Sequence, residues 1–278
     1  PFLIFCMDNG VSRTISENQI FGFGELVIYQ DVLNQGGIFF DIGMNIGAIS
    51  FQLKKRNPSL KVFGFEPIRE FYDLAVKNLS KFDDVTCFNI GLGNRNSTIG
   101  LPHFPVNRIS NFGATELSDV GSEYWVEIQR LDNISELFGV LPNLVKIDVE
   151  GQENLVLQGM ENFIHDDIYL SIEADRPLIT EKCIEILKDH QLEIYFGALA
   201  VTDRLNEDRN KEYDNLSTAH IIACYRPTPW IKKLLKPINN YNDYYDKIAP
   251  MIDRTLQRHP ELTLTSRKEY EGCEDGEG

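Results

Sequence analysis

The sequence lacks the features that mark a nucleic-acid-binding or membrane-spanning chain. Lys and Arg number 27 against 42 Asp and Glu, for a formal charge of −15 and a pI near 4.8. No dominating positive field is therefore present to draw in nucleic acid or an anionic membrane, and a small or neutral partner is expected. No apolar run approaches the ~18 residues that span a bilayer, and the apolar start Pro1–Cys6 has no basic region before it. The chain starts at Pro1 rather than methionine, which leaves room for residues upstream. The five cysteines, Cys6, Cys87, Cys183, Cys224 and Cys273, form no CxxC pair and no framework-like spacing. Neither a zinc site nor a disulfide scaffold is indicated, and a reducing, cytoplasmic setting is expected. Internal repeats are absent too.

What is present is ordinary globular composition. With 42% hydrophobic and 25% charged content over 278 residues, the chain suits one large α/β domain with appendages. A helix-like stretch from Leu26 to Gln35 leads through Gly36-Gly37 into Ile38–Ile42, a short apolar run of buried-strand type. The turn Gly43–Gly47 follows at once, and Ile46, Ile49 and Leu53 then recur at helical spacing until Asn57-Pro58. Lys61–Glu66 reads as a second strand that ends on an acid and meets Pro67, a favoured helix start. Ile68, Tyr72, Ala75, Leu79 and Phe82 mark a helical face, and Val85–Ile90 a third strand. Strands at Asn143–Asp148 and Ile168–Glu173 are each followed by a helix, and late strands fall near Glu193–Ala200 and His220–Tyr225.

This alternation predicts a mostly parallel sheet covered on both faces, seven-stranded and Rossmann-like, with ligands beyond the carboxyl ends of the strands. Two long connections leave such ends, Leu92–Ser135 and Thr202–Thr218. The first is expected to hold a hairpin of Ser97–Leu101 and Tyr124–Leu131, and both could cover a ligand. The organisation expected is a lead-in at 1–35, a catalytic domain at 36–226 and a helical, finally disordered tail at 227–278. Trp230–Lys236 is expected to pack its apolar side onto the domain. Of the histidines, His103 and His220 stand alone, and a structural or exposed role is expected, with His103 a possible base.

Three stretches carry chemistry. In Asp41–Gly47, glycines let the backbone pass close to a ligand at a helix start. A dinucleotide site would prefer G-x-G-x-x-G, whereas Asn45 and Ala48 replace two of those glycines and Asp41 would repel a pyrophosphate. The same carboxylate would attract the ammonium of a methionine-bearing cofactor. Glu66, 19 residues after Gly47, can accept hydrogen bonds from both ribose hydroxyls of an adenosine. Lys146, Asp148, Glu150 and Glu153 then crowd the end of an apolar strand, where buried charges need partners.

Asp41-Ile-Gly-Met-Asn-Ile-Gly47, Phe65-Glu-Pro67 and Lys146-Ile-Asp-Val-Glu-Gly151, with Glu153, Val156, Leu157 and Gly159 after them, resemble the successive signatures of the FkbM-type methyltransferase family. Ile172-Glu173 is similar to the acidic end of the family's next strand, and the likeness spans roughly Phe39 to Tyr225. It implies a class I methyltransferase fold, S-adenosyl-L-methionine as donor and a hydroxyl of a sugar or other small natural product as acceptor. By position, Asp41, Gly43, Asn45 and Gly47 would line the donor's methionine part, Glu66 its ribose, and Asn89 and Ile90 its adenine. Met44 stands where the family commonly has alanine.

Such a reaction needs an oxygen aligned with the sulfonium carbon and help in losing its proton. Asp148 is the first candidate, with Glu150 and Glu173 beside it as further catalytic acids. Glu173 and Asp175 could instead join Asp148 around Mg2+ or another divalent cation. The competing expectations are an NAD-dependent oxidoreductase and a non-catalytic donor-binding domain of a larger protein.

Overall fold

A computed structural model describes residues 2–101, 124–203, 217–239 and 243. In chain order these form helices α1 (Val11–Asn18) and α2 (Phe23–Val32), strand β1 (Ile38–Ile42), helix α3 (Ala48–Arg56), strand β2 (Lys61–Phe65), helix α4 (Arg69–Leu79), and strands β3 (Val85–Phe88), β4 (Gly91–Leu92), β5 (Ser97–Leu101), β6 (Tyr124–Gln129) and β7 (Leu144–Ile147). Helix α5 (Glu153–Gln158), strand β8 (Tyr169–Glu173), helix α6 (Pro177–Asp189), strands β9 (Glu193–Ala200) and β10 (Ser217–Cys224), helix α7 (Pro229–Leu234) and strand β11 (Lys236–Ile238) follow. No helix among the described residues is long and apolar enough to cross a membrane.

The main sheet runs β11-β9-β10-β8-β7-β1-β2-β3. The pairs β8–β7, β7–β1, β1–β2 and β2–β3 are parallel, while β10 lies antiparallel between β8 and β9. The chain leaves β1 towards β2 and β3, then returns to β1's other side as β7. That reversal makes the carboxyl ends of β1 and β7 the switch point at which open α/β sheets hold ligands.

Alternation along each strand builds two apolar layers. Phe40, Ile42, Val145, Ile147, Leu170 and Ile172 face α5 and α6, where Leu157, Cys183 and Leu187 meet them. Phe39, Leu144 and Ile222 face the other way, against Leu26 and Tyr29 of α2, Leu33 at its end and Leu53 of α3. Each such side chain contributes roughly 1.5–3 kcal/mol on burial, so both layers matter to stability.

Two features differ from the sequence expectation. The main sheet has eight strands, since β11 adds to β9 beyond residue 226 and buries Ile238. Within Trp230–Lys236, Ile231 and Leu235 pack onto the domain as expected, but Trp230 is about half exposed. The expected hairpin β5–β6 is present and pairs with β4 as a small separate sheet; residues 102–123, His103 among them, and 204–216 lie outside the described residues.

Finally, residues 2–5 form an apolar strap over α3 and α4 that the sequence did not signal. Phe2 packs edge-on to Phe51 and Phe5 against Phe71. Asn78 grips the strap, accepting from the Leu3 N–H at 2.6 Å and donating to the Leu3 carbonyl at 3.0 Å and the Ile46 carbonyl at 2.9 Å.

Candidate active site

The turn after β1 passes through three left-handed residues, Gly43 (φ 76°), Asn45 (φ 52°) and Gly47 (φ 79°). Gly43 admits no side chain, because a Cβ there would stand 1.8 Å from the Asp148 carbonyl oxygen. The turn's amides are consumed inside the protein. Gly43 and Met44 donate to the Phe65 carbonyl, Asn45 to Glu66 Oε2 at 2.9 Å, Ile46 to Asn45 Oδ1 at 2.7 Å, and Gly47 to the Met44 carbonyl. A phosphate cradle needs such N–H groups pointing outward, so the arrangement disfavours a pyrophosphate cofactor. Met44 turns into the sheet and lies over Gly64, which accounts for a larger residue there.

Glu66 is buried at the end of β2 and ties that strand to the turn: Oε2 accepts the Asn45 N–H and Oε1 the Ile68 N–H, each at 2.9 Å. Each oxygen keeps a second lone pair for a further donor. Burial raises its carboxyl to about 7 despite those bonds. Asn89 donates to the Glu66 and Pro67 carbonyls, at 2.9 and 3.1 Å, and latches the end of β3 to that of β2; Ile90 is half-buried beside it. Helix α4 begins at Arg69, so Pro67 precedes the helix instead of opening it.

Asp41 lies deeper than the sequence suggested. It is 1% exposed, its Oδ2 accepts the Ser50 hydroxyl at 2.6 Å, and Oδ1 has no hydrogen-bond partner among the described residues. The nearest cation to Oδ1 is Lys146 Nζ, at 3.7 Å. Asp41 thus sits beneath the turn and acts on whatever lies above it through its field.

Register sets Lys146 beside Asp41 across β1 and β7. Its buried ammonium reaches Asp148 Oδ2 at 2.9 Å and the Gly43 carbonyl at 3.3 Å. Burial lowers the affinity of this amine for its proton, but Asp148 and Asp41 more than offset that and keep it charged. Burial likewise pushes Asp148 up, yet Lys146 outweighs it and holds the carboxyl below its ordinary range. Glu173 has an oxygen within 4.8 Å of one of Asp148 and is itself pushed well above the usual range, by burial first and then by Asp148. The opposite directions of the two carboxyls favour the proton on Glu173 and the charge on Asp148.

Asp148, Glu150 and Glu173 offer oxygens within 4.8 Å of one another. Asp175, expected in a metal set with Asp148 and Glu173, is absent from that group because it turns to Arg176, 2.8 Å from Nη1. Arg176 also reaches Glu150 at 2.6 Å and Glu173 at 3.8 Å. Gly151 (φ 99°) makes room for it: a Cβ there would stand 3.2 Å from the arginine's Cδ and Nε. The carboxylates therefore suit a cation, and the protein already supplies one. Glu150 is left-handed (φ 55°), and burial followed by the nearby Asp148 raises it to about 8. Glu153 has a local role, accepting the Val149 and Gly151 N–H groups that shape this loop.

Sequence reasoning missed Arg176, whose one signal was its place before Pro177 at the start of α6. It also gave His220 little weight, although that side chain is buried behind the cluster.

The strand order β3-β2-β1-β7-β8-β10-β9, with β10 antiparallel, is the class I methyltransferase fold extended by β11. Residues 41–213 match the family model described as the methyltransferase FkbM domain, more than half of the chain. Among characterised sequences, the chain is 27% identical over 158 residues to methyltransferase sdnD of Sordaria araneosa, covering 44% of this chain and 59% of that one. It is 24% identical over 161 residues to the hexuronic acid methyltransferase AglP of Haloferax volcanii, covering 56% and 63% respectively. The match thus spans less than two-thirds of each relative's length. Among solved structures, an S-adenosylmethionine-dependent O-methyltransferase from Thermotoga maritima aligns with a TM-score of 0.41 at 14% identity, over 73% of this chain and 66% of that one. Motifs, strand order and family match coincide, and the chain belongs to the FkbM methyltransferase domain family.

Proposed function

We propose that the protein transfers a methyl group from S-adenosylmethionine to a hydroxyl of a sugar or other small natural product. The observation that carries this reading is the coupling of two half-sites at the switch point. Asn45 and Glu66 join the left-handed turn to the ribose-side acid, and Lys146 joins the same turn to Asp148. The name of one relative, a hexuronic acid methyltransferase, is consistent with a sugar acceptor.

In this reading the turn Gly43–Gly47 receives the donor's methionine part, Glu66 its ribose hydroxyls, and the strip at Asn89 and Ile90 its adenine. The donor supplies an electrophilic methyl group on a cationic sulfur, which the acid-rich strand ends favour over an anion. The chain's own task is alignment and proton removal. Asp148, kept ionised by Lys146, accepts a hydrogen bond from the acceptor hydroxyl and orients its oxygen. Glu173, already protonated, steadies the charge on Asp148, and Glu150 is placed by Arg176. A divalent cation on Asp148, Glu150 and Glu173 is the second reading; the guanidinium of Arg176 among those oxygens favours the first.

The test is calorimetry with S-adenosylmethionine and S-adenosylhomocysteine, followed by transfer of a labelled methyl group into hydroxyl-bearing glycans and small-molecule extracts. Binding of both nucleosides and alkali-stable label in an acceptor support the reading. Binding of NAD in their place, or donor binding with no label transferred to any acceptor, rejects it in favour of the oxidoreductase or the non-catalytic module.

A further inference from the structure

Behind the acid cluster lies a set of buried polar groups with no part in the scheme above. Helix α2 lowers Glu25 and Tyr29 onto the sheet face that carries Asp41, Lys146 and Ser171 side by side, and Glu173 opposite His220. Glu25, Tyr29, Ser171 and His220 are each at most 3% exposed. Their polar atoms form a ring that hydrogen bonds join on every side but one, between His220 and Glu25. The Tyr29 hydroxyl is 3.1 Å from Glu25 Oε1 and 2.7 Å from Ser171 Oγ. Ser171 Oγ is 3.5 Å from His220 Nδ1, and His220 Nε2 is 3.9 Å from Glu25 Oε1 and 3.0 Å from Thr218 Oγ1.

Tyr29 has one hydroxyl proton and two polar neighbours, so it donates to one and accepts from the other. The ring consequently has two self-consistent directions. With Glu25 ionised, Tyr29 donates to Glu25, Ser171 donates to Tyr29, His220 Nδ1–H donates to Ser171, and Nε2 accepts from Thr218. With Glu25 protonated, Glu25 donates to Tyr29, Tyr29 to Ser171, Ser171 to Nδ1, and His220 Nε2–H donates to Thr218. The two arrangements differ by one proton, delivered at Nε2 and stored on Glu25.

We propose that Glu25, Tyr29, Ser171 and His220 are a proton wire that ties the protonation of Glu25 in helix α2 to the tautomer of His220 behind the acid cluster. When a proton reaches Nε2, the shift runs along the wire. The proton on Nδ1 moves to Ser171, that of Ser171 to Tyr29, and that of Tyr29 to the Glu25 carboxylate. Reversal through solvent exchange resets the ring.

The protonation tendencies of the two ends fit these roles. Burial lowers His220 to about 4, so the imidazole passes a proton without keeping it. Burial raises Glu25 to about 7, where it can hold and release one near neutrality. The charged groups facing the pair are Lys146 and Asp148 of β7 and its end, Asp41 of β1, and Asp175 beyond β8; Lys146 opposes the rise at Glu25, and Asp148 and Asp41 add to it. A ring that merely fastened α2 to the sheet would have one fixed direction.

The experiment is 15N NMR of the imidazole nitrogens in the full chain without added ligand, between pH 5.5 and 9, with the His220 signals assigned by their loss in His220→Gln. The expected result is that His220 changes from the Nδ1–H to the Nε2–H tautomer as pH falls, with a midpoint near that of Glu25. Tyr29→Phe keeps the ring packed on Phe39, 5.9 Å between centroids, and should freeze the tautomer. Ser171→Ala cuts the wire at a second point and should do the same if Tyr29→Phe does not fold. One tautomer throughout the range in the parent, or a change that persists in the cut variants, overturns the wire and leaves the donor and acceptor assignments untouched.

Discussion

Lys146 lies 2.9 Å from the carboxylate of Asp148, two residues further along the same strand end, with nearly all of the lysine side chain out of solvent. The same ammonium faces Asp41 and the Gly43 carbonyl, so one charge holds the acceptor-side acid and the donor-side turn in register. Removing one member of such a buried set strands the others. Lys146→Met is expected to lower the unfolding free energy by about 3–5 kcal/mol, the scale for a broken buried pair. Combining it with Asp148→Asn should cost less than the sum of the single changes, read by urea denaturation.

Asp148→Asn by itself keeps the shape and removes the charge. S-adenosylhomocysteine affinity should stay close to the parent value, while methyl transfer falls by at least ~10²-fold, the lower end for lost acid–base assistance. Because Arg176 supplies the countercharge, EDTA should leave parent activity unchanged. Loss of activity on chelation, with recovery on adding magnesium, would return a metal to the site.

Glu66→Ala removes the acceptor for two backbone amides as well as a partner for ribose. Donor affinity should drop by about 1–3 kcal/mol, the scale for bonds to a charged group. Glu66→Gln retains one acceptor oxygen and should lose less. Equal affinities for the parent and both variants in calorimetry would take Glu66 out of the site.

Stability should fall as pH rises from about 5 to 8. Glu25 and Glu66 are raised to about 7 and Glu150 to about 8 from an ordinary 4.5, so across this interval the folded chain holds protons that the unfolded chain has released. His220, lowered from 6.5 to about 4, pulls the other way below pH 6.5, one group against these three and Glu173, which is raised in the same direction. Thermal melting at pH 5.5 should therefore lie above melting at pH 8. A donor carrying positive charge should bind more tightly at the higher pH, where the acids are ionised, and so narrow the difference. Melting curves that superimpose would mean these carboxyls are hydrated in solution.

Gly43→Ala places a methyl group inside the Asp148 carbonyl and forces a side chain into left-handed backbone. Several kcal/mol of destabilisation are expected, at the upper end for single substitutions. Retention of the parent's melting temperature would show that the turn and the end of β7 can separate.

The parallel strands were legible because their signals are local: apolar runs bounded by glycine, proline or acid. The turn and its acids were legible for the same reason, as spacing along the chain. Depth was not. Asp41 reads as a ligand-facing group because it adjoins the turn, but the period of two along β1 sends it to the α2 face with Phe39, below the backbone it precedes. Arg176 and His220 gave no local pattern, since each gains its meaning from residues that the fold brings in from 26 and 49 positions away. β11 was hidden because a strand of three residues with proline in the middle has no period to detect.

Asn78 fastens a strap from the first few residues onto the carbonyl of Ile46, inside the turn that opens the family match. The unit that evolution keeps recognisable is therefore shorter than the unit that folds. A fragment cut at Asp41 would lose the strap and also α2, stripping Leu26, Tyr29 and Leu33 from one whole face of the sheet. Boundaries drawn from sequence similarity would yield a sheet open to aggregation on that side, and a glycine turn with its outer clamp gone.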